Sequence, residues 1–338
     1  MNVSLLGIDL AKNVFQLHGI DKKGKPLMRK QLKREHLLSF IANTPPCIIA
    51  MEACGSAHYW GRQFEKLGHI VKLISPQYVK PFVKGNKNDR NDAQAITEAA
   101  SRANQFFVPI KGVAQQDIQN IHRVRQRLLT QRTALSNQIR GLLAEYGIVI
   151  AKGFSTLKKR LPQILEDAEN ELTADSREVF FELQEEFMAL DKRVLLYDHK
   201  LKQLFKTNKN CQRIANIEGI GPIVATAILS RLVNPRQFKN GRHFSAFLGL
   251  VPGHVSSGGK RQLLGISKRG DVYVRTMLIH GARSAVIAAS KKTDSRSLWL
   301  QEIEARRGIN RASVALANKN ARIIWSLVAH QQEYQAAM

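Results

Sequence analysis

Hydrophobic residues recur with two different periods along these 338 residues, and the change of period divides the chain. Over roughly the first 110 residues they come in short runs separated by turn-forming residues, which predicts strands alternating with helices. VSLLGIDL (Val3–Leu10) and VFQLHGID (Val14–Asp21) read as strands, Lys22-Lys23-Gly24-Lys25 as a turn, and PLMRKQL as a third strand. Helix-type sequence covers Arg34–Ala42, and Pro45-Pro46 then breaks the chain before the buried-strand run CIIAME (Cys47–Glu52). A helix around Ala57–Leu67, a strand HIVKLIS (His69–Ser75) and a helix from about Arg90 to Arg102 complete the set.

Beyond that point the spacing is helical. From Ile118 to Leu142, and again from Val179 to Leu204, apolar residues recur at steps of three, four or seven. Two long helices in an antiparallel hairpin or coiled coil are expected, interrupted at Gly147, Gly153 and Pro162, with a seam that also offers apolar surface for joining chains. The final third opens with IEGIGPIVATAILSRL (Ile217–Leu232). Its Gly219-x-Gly221-Pro222 resembles the hairpin of helix-hairpin-helix modules, in which glycine lets backbone amides approach a phosphate at a helix N-terminus. A plain tight turn is the alternative. Helices follow at about Gly241–Leu248, Asp271–Ser290, Ser297–Arg306 and Arg311–Gln331.

A three-stranded meander followed by helix–strand–helix–strand–helix is the element order of the ribonuclease H-like fold. The expected class is therefore α/β plus α. Its parts are a ribonuclease H-like (RuvC-like) domain over 1–110, a helical coiled-coil linker over 111–210, and a mainly helical C-terminal domain over 211–338.

Charge adds a partner to this picture. Fifty-two Lys+Arg against 27 Asp+Glu leave a formal +25, and neutralising phosphates is the main use of such an excess, so nucleic acid is the expected partner. The surplus is uneven: Glu166–Asp198 holds 11 acidic residues against three basic ones, whereas Arg236–Arg311 holds 15 basic against four acidic. DNA is expected on the basic C-terminal third and away from the acidic block. No apolar run approaches the ~20 residues of a membrane span, and MNVSLLGIDL enters strand-like sequence directly, so neither a membrane anchor nor a signal peptide is expected. Cys47, Cys54 and Cys211 lack paired spacing, which suits a reducing cytoplasm.

The acidic residues that remain raise a chemical question. In KNDRNDAQAI (Lys87–Ile96), Asp89 and Asp92 stand three apart, on one face of a helix, where like charges repel. A solvated acidic helix start accounts for either residue alone. Asp9, however, follows the apolar run Leu5-Leu6-Gly7-Ile8, where burying a carboxylate is costly without a compensating cation. Glu52 ends the apolar strand CIIAME, at a carboxyl end, where ligands of α/β sheets collect. The ribonuclease H-like order makes the first and fourth strands neighbours, with the Asp89/Asp92 helix across them. Four hard oxygen donors converging in a basic protein fit Mg²⁺ (or Mn²⁺), which also binds phosphate.

A second centre is expected at VPGHVSSGGK (Val251–Lys260). Ser256 or Ser257 offers a hydroxyl on an exposed loop, and Lys260, Arg261, Lys268, Arg269 and Arg275 supply cations for the charge developing on an attacked phosphate. A flexible Ser/Gly loop without chemistry is the alternative. No GxxxxGK[ST] phosphate loop occurs, in keeping with chemistry that needs no ATP.

GIDLAKNVFQLHGID, IAMEACGSAHYW, KNDRNDAQAI, IEGIGPIVATAI, FLGLVPGHVSSGGKRQLLGISKRGDVYVRTMLIHGAR and ANKNARIIWSLV together resemble the DEDD transposases, recombinases of bacterial insertion sequences whose class includes the pilin-gene invertase. The resemblance spans nearly the whole chain, with six motifs in family order. It implies an acidic tetrad of Asp9, Glu52, Asp89 and Asp92, a nucleophile at Ser257, donor and target DNA as substrates, and an element-encoded bridge RNA as guide. It also implies a tetramer built from two dimers, working on DNA in the bacterial cytoplasm at the nucleoid. The family's aromatic residue two before the serine is Val255 here, a change next to the reacting group and not in it. A hydrolytic RuvC-like resolvase leaves the basic serine block without a use, and a non-catalytic scaffold leaves Asp9 beside Glu52 unexplained.

Overall fold

β1 (Leu5–Leu10), β2 (Val14–Ile20) and β3 (Pro26–Lys33) form an antiparallel meander. The computed structural model describes residues 3–83, 89–257 and 260–335, and at Asp89, Arg90, Ser256, Ser257, Lys260, Arg261 and Leu263 the backbone alone. The chain divides into two compact units, Met1–Val113 and Ala114–Met338.

In the first unit, α1 (Arg34–Ala42) leads to β4 (Ile48–Glu52), which pairs parallel to β1, and α2 (Ala57–Lys66) leads to β5 (Ile70–Ile74), parallel to β4. α3 (Pro76–Val79) and a 3-10 turn (Lys80–Phe82) precede α4 (Asp89–Ala100), and the two-residue β6 (Phe107–Val108) closes the edge. Strand order is β3-β2-β1-β4-β5-β6. Side chains alternate across the sheet. Leu6, Ile8, Ile49 and Met51 face α1 and α2, in one core with Leu37, Ile41, Trp60 and Phe64. Leu5, Ala50 and Ile74 face the other way, in a core with Ala95, Ile96 and Ala99 of α4. Burial on both faces is why β1 and β4 read as unbroken apolar runs. α4 lies against β1 at Gly7, where an added Cβ would fall 2.6 Å from the Ala93 carbonyl and run into Thr97 Oγ1.

The second unit opens with α5 (Val113–Ala144), α6 (Phe154–Glu166) and α7 (Ala174–Thr207). Leu128, Leu135 and Ile139 of α5 share a core with Phe187, Leu190 and Val194 of α7 and with Leu157 and Leu161 of α6. Arg125 Nε–Asp198 Oδ1 and Arg132 Nη1–Asp191 Oδ1, both 2.5 Å, lie one heptad apart and run in opposite senses, so the two helices are antiparallel. Two details differ from the sequence pattern. Leu142 and Val179, expected in the seam, are 39% and 50% exposed, while Leu143 and Phe180 are buried. A 3.6-residue turn drifts against a seven-residue repeat, and at the hairpin's far end the next residue takes the inward position. Pro162, expected to interrupt, lies inside α6.

α8 (Lys209–Ile214), α9 (Pro222–Leu229), a 3-10 turn (Pro235–Gln237) and α10 (Gly241–Phe247) follow, then a hairpin of β7 (Pro252–Ser257) and β8 (Lys260–Ile266). α11 (Val272–Ala289), α12 (Ser295–Arg307) and α13 (Ile309–His330) complete the unit, α13 packing on α10, α11 and α12. The hairpin stands where the sequence predicted only a loop. His122 of α5 joins three helices: Nδ1 is 2.9 Å from Tyr273 Oη of α11, and Nε2 is 3.0 Å from Thr226 Oγ1 of α9. Among the described residues no helix is long and apolar enough to cross a membrane.

Gly7→Ala is expected to destabilise the first unit by about 1–3 kcal/mol, as overpacking at a helix–strand contact does. Gly55→Ala, where a Cβ meets nothing within 4 Å, is the control and is expected to stay within about 0.5 kcal/mol in urea unfolding. Burial, then the nearby Arg125 charge, pushes the His122 pKa from 6.5 down to about 4. Between those values the unfolded chain binds more protons than the folded one, so stability falls as pH drops through that window, by at most about 1.4 kcal/mol per pH unit. Denaturant unfolding of wild type and His122→Gln is expected to show the wild-type advantage shrinking from neutral pH to about pH 4.5. A constant difference would assign no such role to His122.

Candidate active site

Asp9 is the fifth residue of β1, on the face of the sheet shared by Leu5 and Gly7 and covered by α4. Glu52 is the last residue of β4, on the same face as Ile48 and Ala50. Ile8 and Met51 are direct parallel partners, so the two carboxylate residues that follow them are neighbours at the carboxyl ends of adjacent strands. Both are half-buried and both are engaged in local interactions. The loop after β4 turns at once: Cys54 N donates to the Glu52 carbonyl at 2.8 Å, and Ser56 stands at φ +66, a left-handed conformation rare outside glycine. Burial first, then the charges of Glu52 and Asp9, hold the Cys54 thiol above its ordinary range. Cys54, which its motif contained but spacing alone did not single out, thus feels both carboxylate charges.

Asp89 and Asp92 lie in the first turn of α4. Asp92 directly precedes Ala93, whose carbonyl lies against Gly7, two residues before Asp9 on the same face. The donor set is all carboxylate oxygen, which suits a hard divalent cation. Among the described residues no group of three or more His, Cys, Asp or Glu stands close enough to hold a metal, and the Asp89 side chain lies outside the described residues. What the structure brings together is the pair Asp9 and Glu52, with the acidic start of α4 laid over the same face.

In the second unit, Ser256 and Ser257 end β7, opposite Arg261 and Lys260 in the hairpin register. The side chains of these four residues lie outside the described residues. The base of the hairpin is tightly held. Ser267 N donates to the Val251 carbonyl at 2.8 Å and Lys268 N to the Gly249 carbonyl at 3.2 Å. Gly249 (φ +73) and Gly270 (φ +90) sit where a Cβ would collide with the Arg269 and Phe247 carbonyls, and Lys268 itself stands at φ +53. Lys268 and Arg269 are exposed. Arg275 is not: it is 7% exposed, and Nη1 donates to the carbonyls of Leu248 and Arg269, both at 3.2 Å. Expected as a phosphate-facing cation, it is a brace under the Lys268–Arg269 turn, because a buried guanidinium must satisfy its donors locally. Asn318, which the sequence did not single out, is a second brace, with Nδ2 donating to the Leu250 carbonyl at 3.1 Å.

Gly219 also has a packing reason. At φ +84 its added Cβ would fall 2.6 Å from the Gly281 carbonyl of α11, so glycine is required for the approach of the Ile217–Gly221 turn to that helix. Gly221 caps α9 with extended backbone, and packing does not demand glycine there.

Comparison with known proteins covers both units. Residues 6–148 match the model of DEDD transposases of the IS110 type, described as transposase, and residues 211–297 match the transposase IS116/IS110/IS902 family. The chain is 47% identical over 336 residues to a probable family 20 transposase of Pseudomonas aeruginosa, covering 99% of both chains. It is 48% identical to the transposase for insertion sequence element IS1111A of Coxiella burnetii, over 99% of this chain and 92% of that one. It is 40% identical to a putative transposase of Sinorhizobium fredii, over 98% of this chain and 86% of the relative. With end-to-end relatives and a family match on each side of the helical hairpin, the chain belongs to the IS116/IS110/IS902 family of insertion-sequence transposases, enzymes that cut and rejoin DNA.

Proposed function

We propose that this transposase exchanges DNA strands through a carboxylate centre in a RuvC-like N-terminal unit and a serine on the C-terminal hairpin. The observation that carries the reading is the placement of Asp9 and Glu52 side by side on the α4 face of β1 and β4. The sheet order β3-β2-β1-β4-β5 with a helix across β1 supports the ribonuclease H-like assignment, and the antiparallel α5–α7 pairing supports reading the linker as a coiled coil.

Asp9, Glu52, Asp89 and Asp92 hold a divalent cation, Mg²⁺ or Mn²⁺. When bound, it offsets phosphate charge and acts as a Lewis acid. Ser257 Oγ attacks a DNA phosphorus. The bond from phosphorus to one strand end breaks as the Oγ–P bond forms, the serine gives up its proton, and the released end takes one up. A hydroxyl of the partner strand then attacks the serine phosphodiester and regenerates the hydroxyl, so bond energy is conserved without ATP. Lys260 and Arg261 on β8, with Lys268 and Arg269 at the hairpin's base, are phosphate contacts, with the Gly219–Gly221 turn presenting backbone amides, and Arg275 positions the Lys268–Arg269 turn from beneath. A bridge RNA pairs with donor and target DNA, a reading supported by the family resemblance and the +25 charge. Four strands are exchanged, so the protein works as a homo-oligomer, a tetramer of two dimers, at the bacterial nucleoid in the cytoplasm.

Asp9→Asn and Asp92→Asn are each expected to abolish recombination in vitro while leaving thermal unfolding and nucleic-acid binding near wild type. Full activity of either variant in Mg²⁺ would remove the carboxylate centre from the reaction. Ser257→Ala is expected to give no covalent protein–DNA adduct on denaturing gels with labelled DNA, while Ser256→Ala still forms one. An adduct that persists in Ser257→Ala moves the nucleophile elsewhere.

A further inference from the structure

The seam of α7 is filled from within the chain, yet the helix carries a second apolar line. Phe181, Met188 and Leu195 are 53%, 38% and 59% exposed, and they stand seven residues apart, turned away from the buried Phe180, Phe187 and Val194. Single exposed apolar residues are ordinary on a protein surface. Three in heptad register on one 34-residue helix make one continuous apolar line, the narrow stripe along which two helices can cross.

The charges beside the line say which helix. Glu178, Glu185, Lys192 and His199, all exposed, repeat at the same seven-residue interval, acidic in the first half of α7 and basic in the second. In an antiparallel pair centred on Met188, Phe181 of one copy faces Leu195 of the other. Glu185 comes within one residue of the level of Lys192 of the second copy, and Glu178 within one of His199, while the residues strictly level with them, Asp191 and Asp198, pair with Arg132 and Arg125 of α5. In a parallel pair these equivalent residues lie on opposite sides of the contact, so no Glu185–Lys192 pairing forms. A two-fold contact uses one patch twice, and this patch complements itself only when reversed.

We propose that the Phe181–Met188–Leu195 line of α7 docks on the same line of a second copy of this chain, antiparallel and centred on Met188. The proposal rests on the homo-oligomer reading above and gives it a surface separate from the α5–α7 seam. The acidic block, ill-suited to DNA, then has a use: it is half of a self-complementary interface.

The test uses the full-length chain with Cys54→Ser, since Cys47 and Cys211 are buried. Met188→Cys is expected to give disulfide-linked dimers on mild oxidation, whereas Phe181→Cys and Leu195→Cys link only when mixed. In sedimentation at low salt, Glu185→Lys and Lys192→Glu are each expected to weaken self-association about tenfold, and the double variant to restore it. Homotypic linking of Phe181→Cys would indicate a parallel pair and overturn the proposal. Self-association without linking through Met188→Cys would overturn the surface and leave the oligomer standing. A chain that stays monomeric at every concentration would overturn both.

Discussion

α4 touches the sheet at one point that admits no side chain, Gly7 of β1. Everything proposed for the first unit depends on that contact. It lies two residues before Asp9 on the same face, and the helix residue it meets, Ala93, directly follows Asp92. A larger residue would lift the helix and separate the acidic first turn of α4 from the strands that end in Asp9 and Glu52. The apolar cores on the two faces serve the same end: with Leu6 and Ile8 committed to α1 and α2, the alternate residues of β1 are fixed toward α4.

The second unit relies on the same device. Gly219 and Gly281 let the turn before α9 meet α11 backbone to backbone, and Gly249 and Gly270 seat the base of the β7–β8 hairpin on the end of α10. Arg275 and Asn318 complete that seat by capping carbonyls. The serines at the end of β7 are thereby carried on a short hairpin whose base is held by hydrogen bonds and close packing, a firmer platform for the proposed chemistry than a free loop. The long helices are held in register differently, by two Arg–Asp pairs one heptad apart across the α5–α7 seam. Shifting the register by one turn would bury unpaired charges, so the pairs specify alignment more than they add stability.

Period and composition were enough for most of the element order. β1 to β5, α1, α2 and α4, the two long helices and α9 to α13 follow from where apolar residues recur, because burial of a face dictates that spacing. Asp9 and Glu52 were legible too, since a carboxylate on a strand otherwise filled with apolar residues contradicts its surroundings. The β7–β8 hairpin was not, because PGHVSS and KRQLLGI carry no strong alternation. Nor was α6 across Pro162, where Leu157, Leu161 and Ile164 are buried against the long helices and outweigh one lost backbone hydrogen bond.

The sequence by itself determined the class, most of the order of elements and the residue types at the candidate positions, all of which rest on local pattern and on chemistry each residue carries alone. Tertiary structure decided which glycines are contacts and which cations face outward. Arg275 looks like its neighbours Lys268 and Arg269 in the sequence, and only its burial against two carbonyls makes it a brace. Gly219 reads in the sequence as a turn glycine, and only the fold shows Gly281, 62 residues away, packed against it. The reason is common to both: a charge or a missing side chain is a local property, but what it meets is set by residues distant in the chain.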